Sequence, residues 1–421
     1  MTNILEQTEP AIVRGIKTVG VGKRGSKPLD PQLAAELLAD LQDGKVSAAA
    51  QGAFFAGLSL KGVAESEMLL ARTLPAGILT DPRQLAEHLT QEAPAHIRDI
   101  CIQLLEKKEL WYEQSRRLGE FLFSDLPGDS IRGLVASALR VRYETADEYH
   151  GLWESMQATI SPAFRQPVPE GQPIIQIAEP FDGVDHSFLL TPLIANHLQT
   201  LPYRVIHMAG RNSGPKLGIN LLELARELKM EFAESNSEVK GDCPAFGWCI
   251  SQEKLTPAVD RWVEIRRQTV KRPFLATLEK FLNPAKAEIL ITSAFHPNYG
   301  EKMLTIAERA GFPTAIVVSN GLEGTLAFCL NRPAKILCSA RAGKGGFHRA
   351  EISISPKAVD NSLADYLREE PVAPTLTRNA ELVREFASMG KTDDPLFDKR
   401  VSVTQAGIDQ AIEWVRHNLN K

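Results

Sequence analysis

AEILITSAFHPNYGEKMLTIAERAGFPTAIVVS, residues 287–319, decides the fold class. A short apolar run leads into a helical pattern, breaks at Gly-Phe-Pro and returns to a second apolar run, which predicts strand, helix, strand. Similar units flank it: IIQIA (174–178) before TPLIANHLQT, YRVIHM (203–208) before GINLLELARELKM, and KILCSA (335–340) after a Gly-containing turn. Such alternation gives a mostly parallel sheet with helices on its faces. Residues 30–160 read differently, as helices. In DPQLAAELLADLQDG, Leu33, Leu37, Leu38 and Leu41 share one face, with Asp30 as N-cap, Pro31 at N1 and Gly44 as the stop. The texture changes after SPAFRQPVPEGQP (161–173), and the last sixty residues are helical again. The expected architecture is α/β: an N-terminal helical domain (1–168) followed by a large α/β domain (169–421) with a helical tail. GAFFAGLSLKGVAESEM from Gly52 and GLVASALRVRYETADEY from Gly133 align without gaps at an offset of 81, so that Lys61 meets Arg142 and Glu67 meets Glu148. A duplicated helical hairpin explains the echo; so does helix composition alone.

The chain has 421 residues, 43% hydrophobic, with 48 Lys plus Arg against 52 Asp plus Glu. That balance excludes a disordered or low-complexity chain. No apolar run nears the ~20 residues of a membrane helix, and MTNILEQTEP is not a secretory signal. Five cysteines without a CxxC point to reduced thiols and a cytoplasmic setting, with no zinc site. The charge is unevenly spread. Residues 11–28 hold Arg14, Lys17, Lys23, Arg24 and Lys27; residues 261–272 hold Arg261, Arg266, Arg267, Lys271 and Arg272; residues 331–349 hold Arg332, Lys335, Arg341, Lys344 and Arg349. Glu264 is the single acid among these fifteen cations, so a polyanion-binding surface competes with the plainer reading of solvated faces.

Ligands of open α/β sheets sit beyond the carboxyl ends of strands. The loop AGRNSGPKLG (209–218) opens a helix and offers Arg211, Ser213 and Lys216 among three glycines, a candidate phosphate cradle. The loop EPFDGVDHSF (179–188) has one glycine and three acids, Glu179, Asp182 and Asp185. A carboxylate ~4 Å from a phosphate charge costs about 4 kcal/mol at an effective dielectric near 20, so this loop repels a pyrophosphate unless a divalent metal intervenes. His207 and His296 are read as structural, and no nucleophile set stands out.

These loops, the N-terminal helices and RRQTVKRPFLATLEKFLNPAKAEILITSAFHPNYGEKM (266–303) resemble the anthranilate phosphoribosyltransferase family, glycosyl transferase family 3. About 80 residues (74–159) look inserted or duplicated against it. The resemblance implies a helical domain beside a large α/β domain, a homodimer through the helices, and a cleft for phosphoribosyl pyrophosphate and magnesium. Motif by motif, the chain departs. EPFDG and SFLLTP stand for GTGGD and TFNIST. HMAGRNSGPKLG keeps Arg211, Lys216 and Gly218 of KHGNRSVSSKSG but loses the paired serines. GLEGTL stands for GLDEL, leaving Glu323 as the lone metal-type carboxylate, a poor magnesium site. The acceptor-pocket arginine corresponds to Arg272.

The departures are similar to the YbiB-type branch of the same fold: a basic arm (VGVGKRGSKPL, 19–29), LTPL (190–193), TLEKFLNP (277–284) and GLEG (321–324). That branch implies sequence-tolerant nucleic-acid binding by a homodimer without transferase chemistry and without a cofactor. Trp262 and Phe347 are candidate stacking residues. The alternatives are phosphoribosyl or related glycosyl transfer, with magnesium, and a small-anion sensor without turnover.

Overall fold

The structure is a computed structural model that describes all residues except 1–8, 23–24, 215, 295, 297–298 and 364–370; Lys23 and Arg24 therefore lie outside the described residues. The chain divides into two compact units. One, helical, takes 1–158, 213–215 and 261–276; the other, α/β, takes 159–212, 216–260 and 277–421.

The α/β unit holds an eight-stranded sheet: β1 (Ile174–Ala178), β2 (Arg204–Ala209), β3 (Glu231–Phe232), β4 (Trp248–Ser251), β5 (Ile289–Ser293), β6 (Thr314–Val318), β7 (Ala334–Arg341) and β8 (Phe347–Ile354). Their order is β3-β4-β2-β1-β5-β6-β7-β8. Strands β1 to β6 pair in parallel, whereas β7 and β8 run antiparallel. Alternate residues of the central strands, Ile175 and Ile177, Ile289 and Ile291, Ile316 and Val318, enter one apolar core, as the period of two dictates. Helices Thr191–Leu198, Leu221–Leu228, Leu376–Met389 and Pro395–Asn418 also contribute to that core. The short strands β3 and β4 and the hairpin partner β8 go unread in the sequence. β8 alternates exposed and covered positions with no apolar run to announce it.

The helical unit contains α1 (Ala11–Val19), α2 (Pro31–Gln42), α3 (Ala48–Lys61), a 3-10 segment (Glu65–Thr73), α4 (Pro82–Leu89), α5 (Ala95–Leu105), α6 (Tyr112–Leu122), α7 (Asp129–Arg142) and α8 (Ala146–Gln157). Asp30 does cap α2, its carboxylate accepting from Leu33 N at 2.9 Å. The helix Trp262–Thr269 joins this unit, although the sequence reading leaves it with the sheet. Trp262 and Val263 point inward, and Arg266, three and four positions on, shares their face. The indole Nε1 donates to Leu122 O at 3.1 Å, and its ring meets Phe274 edge-on at 5.7 Å.

That packing corrects the nucleic-acid surface expected from the basic run. Trp262 is 1% exposed and cannot stack on a base; Arg266 is 3% exposed and Lys271 8%. The helix ends at Thr269, so Lys271 is not on a helical face with Arg267. Its ammonium lies 3.3 Å from Ser137 Oγ, against Gly20, where a Cβ would stand 1.4 Å from Nζ. Burial, aided by the charge of Arg140, pulls its pKa down to about 7. In the unfolded chain the amine keeps its ordinary value of 10.5, so between the two the unfolded chain alone is protonated and stability rises with pH. The cost of the buried charge is complete below about 7. We expect Lys271→Met to raise stability in urea titration by roughly 2–4 kcal/mol at pH 6, and by about half that or less at pH 9.

Candidate functional site

Strand order turns at β1: β2 and β4 run outward on one side, β5 and β6 on the other. The crevice beyond the carboxyl ends of β1 and β5 is therefore the expected ligand position. The loops that follow β1 and β2 meet there. Val184 N donates to Ile219 O at 2.9 Å and Ile219 N to Val184 O at 3.0 Å, a one-step antiparallel bridge. Gly183 needs its φ of +73° to make this turn, and a Cβ on it would stand 2.5 Å from Ile219 O.

Two glycines of the 209–218 loop, Gly210 and Gly218, lie against the loop after β1. A Cβ on Gly210 would strike Phe181 at 2.4 Å, and one on Gly218 would strike Val184 O at 2.4 Å. The neighbouring loop closes against the backbone at both glycines. Asn220 fixes the junction: its amide donates to Phe181 O (2.9 Å) and Gly210 O (3.0 Å) while its oxygen caps the Leu221–Leu228 helix.

Glu323 is the hub. It sits at φ +50°, a left-handed position that few carboxylates occupy, inside the turn Gly321–Gly324. Its carboxylate accepts from Asp185 N (3.1 Å), His186 N (2.9 Å), Ser187 Oγ (2.8 Å) and Lys216 Nζ (2.5 Å). Successive backbone N–H groups with a hydroxyl and an ammonium make an anion seat. Here the anion is the protein's own side chain. Burial alone raises the pKa of Glu323, but Lys216 and the donors from His186, Asp185 and Ser187 together hold it below the ordinary 4.5. Its oxygens are committed, Gly324 adds no ligand, and no group of three His, Cys, Asp or Glu suited to a metal exists among the described residues. The residues present do not fit an octahedral magnesium site.

The other phosphate candidates are also engaged or covered. Arg211 pairs with Asp260, Nε to Oδ2 at 3.0 Å and NH2 to Oδ2 at 2.8 Å. Ser213 is fully buried, and its hydroxyl has no hydrogen-bond partner among the described residues. Sequence reasoning missed Asp260 and Phe181, although both stand in the sequence beside the motifs it used. It also missed the buried pair behind the seat. Glu179 accepts from Leu326 N at 2.6 Å and from the Thr191 hydroxyl, and burial drives its pKa up to about 7 against the pull of that N–H and of Lys280. His207 is structural, its Nε2 2.7 Å from Phe246 O and its pKa lowered to about 4 by burial.

The three basic runs divide between the units. Arg14 pairs with Glu36, Lys17 with Glu9 (2.6 Å), Arg261 with Asp125 (2.8 Å) and Arg267 with Glu264 (3.2 Å), all in the helical unit, where Lys27 is exposed and Arg272 partly covered. The third run lies on the β7–β8 hairpin apart from Arg332, which precedes it, with Arg349 held by Glu308 (2.6 Å) and Lys335 by Glu351 (3.2 Å).

No protein-family model matches the chain. It is 23% identical over 225 residues to an uncharacterized protein of Aquifex aeolicus, covering 53% of this chain and 65% of that protein. Over 242 residues it is 24% identical to the bifunctional protein TrpGD of Thermotoga maritima, 57% of this chain and 40% of that one. The chain thus spans less than two thirds of either relative. Among solved structures it resembles anthranilate phosphoribosyltransferase from Thermus thermophilus, with a TM-score of 0.58 and 18% identity over 76% of this chain and 94% of that one. The chain has the anthranilate phosphoribosyltransferase fold. The same anthranilate phosphoribosyltransferase fold aligns with the Saccharomyces cerevisiae protein in complex with PRPP and Mg, at a TM-score of 0.52 and 12% identity, covering 92% of this chain and 94% of that one. On this fold, Glu323 is a structural clamp. Replacing it with Gln removes charge from four donors, and we expect Glu323→Gln to cost about 1–3 kcal/mol at pH 7 in denaturant titration. Because the folded carboxylate titrates below 4.5, that stabilisation is present above 4.5 and disappears as pH falls through the folded value, so the variant and the parent converge in acid.

Proposed function

We propose that this chain is a non-enzymatic, anthranilate phosphoribosyltransferase-like protein whose own carboxylate fills the phosphate seat, and that it binds nucleic acid through backbone-directed cations on the helical unit. The observation that carries the first half is the Glu323 carboxylate on Asp185 N, His186 N, Ser187 and Lys216. A pyrophosphate there must displace a carboxylate held by four donors, and it meets Phe181 against Gly210 where a transferase needs open backbone. The motif agreement with the YbiB-type branch supports the second half, together with the exposed Lys27, Arg261 and Arg267. Their partners Asp125 and Glu264 are themselves exposed, so these ion pairs are weak and exchangeable. The competing reading is glycosyl transfer, and a fold shared with a protein found with PRPP and Mg favours it.

Binding of labelled single- and double-stranded oligonucleotides across a salt series tests the proposal. We expect affinity to fall steeply with salt, and Lys27→Ala/Arg261→Ala/Arg267→Ala to weaken binding at least tenfold. Each lost phosphate contact should flatten the log–log salt slope by about 0.9 for duplex and 0.7 for single strands. Arg266 and Lys271 are unsuitable for this test because their removal perturbs the core. Absence of binding at low salt sinks the nucleic-acid half.

A further inference from the structure

In the helical unit the sequence echo at offset 81 has a three-dimensional counterpart. Helices α3 and α7 are the same length and begin 81 residues apart; α2 and α6 also begin 81 apart, as do the 3-10 segment from Glu65 and α8 from Ala146. Nine buried positions of α3, from Ala50 to Leu60, recur at the matching positions of α7, from Ile131 to Val141. A buried carboxylate network recurs with them. Glu67 accepts from Leu29 N (2.9 Å), Ala64 N (2.6 Å) and Lys61 Nζ (2.8 Å). Glu148 accepts from Leu110 N (2.8 Å), Thr145 N (2.8 Å) and Arg142. Every partner is displaced by the same 81. Even the strained backbone repeats: Gly62 (φ +93°, ψ 132°) is matched by Tyr143 (φ +68°, ψ 133°), a residue poorly suited to that region. Earlier in the chain, α1 and α5 both start after a proline N-cap, Pro10 (φ −51°, ψ 144°) and Pro94 (φ −54°, ψ 146°).

The contact between the two halves is reciprocal. A Cβ on Gly52 would lie 1.9 Å from Ser130 O, and a Cβ on Gly133 would lie 1.9 Å from Ala49 O. Gly133 is Gly52 plus 81, and Ser130 is Ala49 plus 81. When residue i of one copy touches j of the other and j touches i, the interface is isologous, the contact that a twofold axis generates between identical chains.

We propose that residues 94–154 are a second copy of residues 10–73 that docks on the first across the α3–α7 face, taking the place of a second chain. The helical unit is a single-chain counterpart of a twofold dimer, and the protein is a monomer. The homodimer that the family resemblance implies is thereby replaced from within, and the 74–159 segment gains a role. This inference is independent of the function proposed above. Light scattering on the full chain at tens of micromolar should give the 46.4 kDa monomer mass; twice that mass overturns the proposal. In parallel, Glu67→Gln and Glu148→Gln should lower the melting temperature by matching amounts, because the two sites are equivalent. A large loss for one and none for the other overturns the repeat, whatever the mass.

Discussion

One carboxylate in an anion seat organises the sheet's ligand edge. Glu323 comes from the turn after β6, and its donors come from the loop after β1 and the loop after β2, so a single side chain ties three connections together. Remove the anion and two backbone N–H groups, a hydroxyl and an ammonium lose the acceptor they share. The glycines, the Val184–Ile219 bridge and the Arg211–Asp260 pair are all consistent with a crevice that closes on itself. Donors converging beside a cation make an anion site, and a carboxylate of the chain itself occupies it.

The strand–helix alternation was legible because parallel strands buried on both faces read as short apolar runs between helical patterns. β1, β2, β5, β6 and β7 follow from it. β3 has only two residues, and β8 shows its alternation to solvent, so neither leaves an apolar signature. At the ligand edge the sequence singled out Glu179, Arg211, Lys216 and Glu323 but not the protein groups that engage them. Pairing is a three-dimensional fact: Glu323 is more than a hundred residues from every donor it uses. A glycine-rich turn likewise does not say whether its open backbone faces a ligand or, as at Gly210, a phenylalanine.

The basic run at 261–272 shows the opposite error. Its spacing fits a cationic helix face, yet that helix is an interior element of a mostly helical unit. Trp262, Val263 and Ile265 bury, and Arg266 follows them inward because it lies one turn on. Lys271 is carried under Gly20, and desolvation makes it a poor cation near neutrality. Counting charges along a sequence overstates a surface whenever the run crosses a buried element; of the cations in this run, Arg261 and Arg267 remain exposed.

The central claim is that the phosphate seat is closed by the protein itself. Calorimetric titration of the full chain with phosphoribosyl pyrophosphate and magnesium addresses it most directly. The account predicts no saturable heat at millimolar ligand, with or without the metal. Saturable, magnesium-dependent binding with one equivalent per chain would contradict it.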